Sequence, residues 1–289
     1  MTVRIATRGS ALARWQAEHV ASILGDAELV VVETIGDRDK ATSLSQLGGT
    51  GIFVKEVQAA VLDGRADIAV HSAKDLPSNP ALATPGLVIG AVPLRADVRD
   101  ALVGASLADL PPGGVVATGS ARRRALLADL RPDLTFEDLR GNIDTRLAKA
   151  SSTTAVVVAH AALVRLGLTD RVAEVFSPEV VVPQVGQGAL AIECRAGEES
   201  LVAALEDGDS RRAVDAERAW LATIGGGCDL PVGAHATVVG DDVRLTAVLA
   251  SFDGRVVLRD TESGGDPVGV GTSLAERMLD DGGRWLIEG

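Results

Sequence analysis

The chain has no tyrosine, and three Trp with four Phe bring its aromatic content to only 2% of 289 residues. Its cores must therefore be assembled from Val, Leu, Ile and Ala, side chains that suit helices laid against sheets. Two cysteines, Cys194 and Cys228, are too few for a disulfide framework, so each thiol is free to react. The four histidines, His19, His71, His160 and His235, stand at no metal-ligand spacing and have no CxxC companion, so no metal site is expected. Positive charge is also scarce. Twenty-eight Lys and Arg against 40 Asp and Glu leave a formal charge of −12, which opposes general affinity for nucleic acid or anionic membranes. Any anionic ligand must then be met by a local arginine cluster. No apolar run reaches the length of a membrane span, and residues 1–10, "MTVRIATRGS", lack the apolar stretch of a signal peptide. A cytoplasmic protein is expected.

What is present alternates between strand and helix. Val3 to Thr7 reads as a strand, and Gly9-Ser10 caps a helix over Ala11 to Leu24. Leu29 to Thr34 reads as a strand, Ile52 to Leu62 as a helix, and "DIAVHS" from Asp67 as a buried strand. The polar stretch between them, "GDRDKATSLSQLGGTG", is long for a connector, and a flap over residues 37–51 is expected. After "PPGG" the alternation resumes: strand Val115 to Thr118, helix Ala121 to Leu130, strand Leu134 to Leu139, helix Ile143 to Ala150, strand Ala155 to Ala159. Such repetition implies parallel sheets in two α/β domains. From Ala234 three paired strands and a helix over Leu274 to Leu279 imply a small α+β domain. The expected boundaries are 1–93 with 189–207, 98–183, and 211–289.

Polar residues gather where strands give way to helices, the place where open α/β sheets hold ligands. Arg8 with Ser10 is one such group. "ATGSARRRAL" is another, with Thr118 and Ser120 ahead of Arg122 and Arg123 in the first helical turn. Cations there oppose the helix dipole and call for a compensating anion, although a solvated basic face is the plainer alternative. "LRGNIDTR" repeats the arrangement with Arg140 and Arg146, and arginine forks match carboxylates well. "HSAKDLP" sets Lys74 beside Asp75 at a strand end, either a surface ion pair or a general acid/base. "GQGALA" matches a dinucleotide-binding pattern, but "IECR" continues it as a strand, which argues against that use. Finally, "ATIGGGCDLPVG" places Cys228 behind three glycines, either in an incidental turn or in a loop shaped for close approach by something else.

Together "RIATRGSALARWQ", "GGTGIFVKE", "ADIAVHSAKDLP", "GSARRRALL", "LRGNIDTRL", "VGQGALAIECR" and "AERAWLATIGGGCDLPVGA" resemble the hydroxymethylbilane synthase family, also called porphobilinogen deaminases, over nearly the full chain. The resemblance implies two α/β domains of the kind found in bilobal periplasmic binding proteins and a small α+β domain. It implies that Cys228 carries a dipyrromethane cofactor through a thioether, and that Asp75 stabilises the positive charge formed as ammonia leaves porphobilinogen. By the same resemblance Arg8, Arg122, Arg123, Arg140, Arg146 and, in "VRLGL", Arg165 bind acetate and propionate groups. Ser10, Ser72, Lys74, Thr118, Ser120 and Gln187 add hydrogen bonds or charge. Porphobilinogen is the implied small-molecule partner, and a monomer is expected.

Some positions depart from the family pattern: Thr50 where lysine is frequent, Ala41-Thr-Ser-Leu44 for D-T-P-L, and "GGGC" for "EGGC". The segment between Arg146 and Arg165 is slightly short. The rival reading is a non-catalytic anion-binding or sensor protein on the same fold, which predicts no covalent pigment and leaves Cys228 unexplained. A nucleic-acid binder resting on Arg122 to Arg124 conflicts with the overall charge.

Overall fold

The computed structural model describes residues 2–33, 54–227 and 229–288. Cys228, Thr50, Ala41 and the expected flap over 37–51 lie outside the described residues. The chain divides into two compact units, Met1–Ala96 with Gly188–Arg211, and Asp97–Gln187 with Arg212–Gly289.

In the first unit, β1 (Val3–Arg8) leads into α1 (Ala11–Leu24), followed by β2 (Ala27–Val32), α2 (Lys55–Leu62), β3 (Ile68–Ser72) and β4 (Leu87–Ala91). Ser10 starts α1 by accepting a hydrogen bond from the Ala13 amide at 3.3 Å. Gly25 stops it, with φ of 82° and its amide on the Ala21 carbonyl. The chain returns to this unit as β10 (Leu190–Arg195), which inserts between β3 and β4. The sheet order is β2-β1-β3-β10-β4. Side chains alternate across it: Ile5 and Ile68 meet Ala17 and Val20 of α1, whereas Ala6 and Ala69 meet Val57 and Val61 of α2. Helices therefore cover both faces.

The second unit begins with β5 (Asp100–Val103), then β6 (Val115–Ala117), α3 (Ala121–Leu130), β7 (Thr135–Glu137), α4 (Ile143–Leu147), β8 (Thr154–Ala159), α5 (His160–Arg165) and β9 (Val172–Val175). Its first sheet has the order β7-β6-β8-β5-β9. With β5 in the role of β10, this repeats the plan of the other unit: three parallel strands, one antiparallel strand, then an outer strand. Both sheets are thus mixed rather than parallel, because β10 in the first and β5 in the second run against both of their neighbours. This shared plan places both sheets in the expected α/β class.

The helix α6 (Gly208–Ile224) precedes an antiparallel meander of β11 (Val232–Val239), β12 (Asp242–Ala250) and β13 (Val257–Gly264), then α7 (Pro267–Met278) and α8 (Arg284–Glu288). Trp220, Ala234, Leu245, Leu249, Leu274 and Met278 form the core of this α+β part. Alternation along β12 turns Val248 the other way, into the core that holds Leu126 and Leu127 of α3.

Candidate functional site

In the first unit the ends of β1 and β3 bring Arg8 and Asp75 to one small pocket, whose walls also include Gln16, Val57, His71 and Ser72. Ser10 is engaged as the helix cap, while Thr7, wholly buried, donates its hydroxyl to the Ala13 carbonyl at 3.0 Å. Ser72 closes β3 and accepts from the Gln16 amide nitrogen at 3.0 Å. The next three residues make a single turn of 3₁₀ helix, Ala73–Asp75, fixed by the Leu76 amide on the Ala73 carbonyl. That turn keeps Ala73 buried and leaves the Asp75 side chain exposed at the pocket, with Lys74 half-buried between them.

Behind the pocket is a polar cluster that sequence reasoning missed. Glu193 of β10 accepts from the Gln58 amide at 2.9 and 3.1 Å, and Thr84 donates to Gln58 at 2.7 Å. His71 Nε2 lies 3.1 Å from Glu193, near enough for an ion pair but off the hydrogen-bond axis. The only trace in the sequence is a glutamate inside the apolar run "ALAIEC".

In the second unit Ser120 caps α3, accepting from the Arg123 amide at 3.4 Å, and the buried Thr118 hydroxyl accepts from the Ser120 amide at 3.2 Å. The cations of the first helical turn do have an anion, and it is internal. Asp100 is completely buried, with Arg123 Nη2 2.6 Å from one carboxylate oxygen and Arg122 Nη2 2.8 Å from the other. Gln187, also wholly buried, donates to Asp100 at 2.9 Å and to the Val98 carbonyl at 2.8 Å. Burial pushes the Asp100 pKa up, but the charges of Arg122 and Arg123 and the hydrogen bonds from Arg123 and Gln187 outweigh it and hold the carboxyl below the usual range. The plainer alternative of a solvated basic face does not hold for Arg122 and Arg123, whose compensating anion is the internal Asp100. Only Arg124 faces outward, toward Asp138 and the Phe136 ring.

Arg140 is exposed and pairs with no carboxylate among the described residues. Arg146, in α4, donates Nε to the Gly141 carbonyl at 2.8 Å. Arg165 ends α5, and burial pushes its guanidinium down to about 10. Cys194 is fully buried on β10, and burial with the nearby Glu199 raises its thiol pKa, a setting for an inert sulfur. Among the described residues no cluster of His, Cys, Asp and Glu could hold a metal ion.

Residues 3–203 match the family model described as porphobilinogen deaminase, dipyromethane cofactor binding domain, and residues 212–280 match porphobilinogen deaminase, C-terminal domain. The chain belongs to the porphobilinogen deaminase family. A porphobilinogen deaminase from Roseiflexus sp. is 46% identical over 100% of this chain and 99% of its own length. One from Geobacillus kaustophilus is 47% identical over 90% of this chain and 86% of its own. The solved structure of an ABC transporter from Parabacteroides distasonis is similar at 13% identity and a TM-score of 0.39, over 70% of this chain and 72% of that one.

The porphobilinogen deaminase family carries a dipyrromethane, two linked pyrroles each with an acetate and a propionate. The residues present fit such a group. The Asp100 cluster holds two guanidiniums against one carboxylate, and Arg122 Nε is buried without an acceptor. Arg140 adds an exposed cation at the β7–α4 connection.

Proposed function

We infer that this chain is a hydroxymethylbilane synthase, a transferase that condenses four porphobilinogen molecules head to tail, releases ammonia at each addition, and frees the linear tetrapyrrole with water. The observation that carries this reading is the match to both porphobilinogen deaminase domains over 3–203 and 212–280, with Asp75 exposed at a strand-end pocket beside Arg8. When bound, the dipyrromethane supplies the pyrrole carbon to which the first substrate is joined.

Cys228 is the attachment residue, the one thiol of the chain outside the inert β10 position. Asp75 faces the pyrrole nitrogens, stabilises the positive charge that develops as ammonia departs, and takes the proton from the ring carbon that has been attacked. Its exposure at a fixed turn suits this role, because a carboxylate aimed at a developing cation acts without reorganisation of its backbone. Arg8, Arg140, Arg146 and Arg165 bind acetate and propionate groups, with Ser10, Ser72, Lys74, Thr118, Ser120 and Gln187 supplying further polar contacts. Arg122 and Arg123 contribute positive charge from behind the start of α3.

The separate family match of 212–280 supports treating 211–289 as a third domain beside 1–93 with 189–207 and 98–183. The reading includes a cytoplasmic monomer; separately, no helix among the described residues is long and apolar enough to cross a membrane. Intact mass together with ammonia release from porphobilinogen tests the function. A mass excess of two linked pyrrole units with turnover is expected; a bare chain that binds carboxylates and releases no ammonia would favour the anion-binding rival.

A further inference from the structure

Asp100 opens β5, and its neighbours Ala101, Leu102 and Val103 are all core residues. A carboxylate sealed among them is tolerated only if it is paired and hydrogen-bonded. Its Oδ1 accepts from Arg123 Nε at 3.0 Å and Nη2 at 2.6 Å, and from Gln187 Nε2 at 2.9 Å. Its Oδ2 lies 2.8 Å from Arg122 Nη2. The far ends of both guanidiniums are tied to backbone, Arg122 Nη1 to the Val182 carbonyl at 2.7 Å and Arg123 Nη1 to that of Val157 at 3.1 Å. A side chain at Gly233 would meet the Arg122 stem, its Cβ falling 2.8 Å from Arg122 Cδ, so the absence of one there leaves that stem its room.

We propose that Asp100 is a positioning residue for cofactor binding: supported by Gln187, it fixes Arg122 and Arg123 behind Thr118 and Ser120 as a rigid surplus of one positive charge. This rests on the reading above that carboxylates of the cofactor bind at the start of α3. Two arguments support it. Long arginine side chains lose much rotamer freedom when a ligand orders them, and here that ordering is complete beforehand, on a strand flanked by β8 and β9. The stoichiometry matters as well. One carboxylate shared by two guanidiniums anchors both without cancelling both, whereas one-to-one pairing would leave nothing to attract an anion. Other nearby charges are committed elsewhere, Asp97 to Arg99 and His160 at 2.6 and 2.8 Å.

The test separates position from charge. Asp100→Asn can keep an acceptor toward Arg123 and Gln187 but turns a donor on Arg122, and it raises the cluster's positive charge by one. If Asp100 only offset charge, the variant would load cofactor and bind porphobilinogen as well as the parent or better. As a positioning residue it instead leaves a folded protein with a reduced loaded fraction by intact mass. In its loaded molecules KM is raised about tenfold or more, as expected from losing the buried ion pair that holds Arg122, with a smaller change in kcat. Gln187→Ala removes the side support of Asp100 together with the bonds of Gln187 to Val98 and Arg123 and its own polar contact to the cofactor, and is expected to shift both readouts the same way by less. Should Asp100→Asn fail to fold, parental loading and KM in Gln187→Ala overturn the proposal on their own. Full loading with parental KM in a folded variant overturns the proposal, while a parent chain without cofactor would overturn the functional reading beneath it.

Discussion

Asp75 takes no part in the hydrophobic core, so charge and shape can be separated at this residue. Asp75→Asn is expected to melt at the parental temperature and to release ammonia on the order of a hundredfold to a thousandfold more slowly, the usual loss for one well-aimed electrostatic contact. A variant that keeps most of its turnover would place the catalytic carboxylate elsewhere. The two cysteines make a matched pair of controls. Cys228→Ser is expected to purify at the bare chain mass and to be inactive. Cys194→Ser puts a hydroxyl into the closed core around Ile192 and Val202, so it should lose about 1–3 kcal/mol of stability and keep the mass excess. An adduct lost from Cys194→Ser and retained in Cys228→Ser would reverse the assignment.

At the scale of elements, α6 and α7 touch through Gly271, where a Cβ would strike the Ala216 carbonyl and lie 2.8 Å from Ala219 Cβ and 2.9 Å from the Trp220 nitrogen. Helix backbone yields little, so Gly271→Ala should destabilise the chain by about 1–3 kcal/mol in urea unfolding; an unchanged midpoint would mean that the helices can separate freely. Helices α1 and α3 were legible end for end, and α1 at its start because Ser10 announces it. Strand direction was not legible. A short strand buried on both faces reads alike whichever way it runs, so β10 could be read as a strand but not as an antiparallel one, and β4, β5 and β9 were not read as strands at all. Within the site, the strand-end group of Arg8, Ser72 and Asp75 could be read from local spacing. Asp100 could not, since its partners Arg123 and Gln187 are 23 and 87 residues away and a lone aspartate before "ALV" carries no mark of them.

Across the whole molecule, Asp67, Asp97 and Asp100 share one acid sensitivity. Hydrogen bonds from Arg4 hold Asp67 below its ordinary pKa; at Asp97 and Asp100 burial pushes upward and is overcome by Arg99 and by Arg122 with Arg123. A carboxyl whose folded pKa is depressed adds stability that is fully present above its unfolded value of about 3.9 and is lost as pH falls toward the folded value. Urea midpoints should therefore be nearly level from pH 7 to about 5 and drop below about 4, with Asp100→Asn blunting the drop; a curve that falls equally in the parent and in that variant would remove Asp100 from the account. The position of β10 has a further consequence, for the order of events at the ribosome. β4 pairs only with β10 among the described strands, and between Ala91 and Leu190 all the strands of the second five-stranded sheet are made. The sheet that begins first must then wait for the strand that arrives last, leaving the flank of β3 open while its neighbour closes. Long-range closure of this kind is slow and exposes unpaired edges. A nascent chain halted short of Leu190 would hold a completed second sheet and an unfinished first one, which makes the return of β10 the committing step in biogenesis.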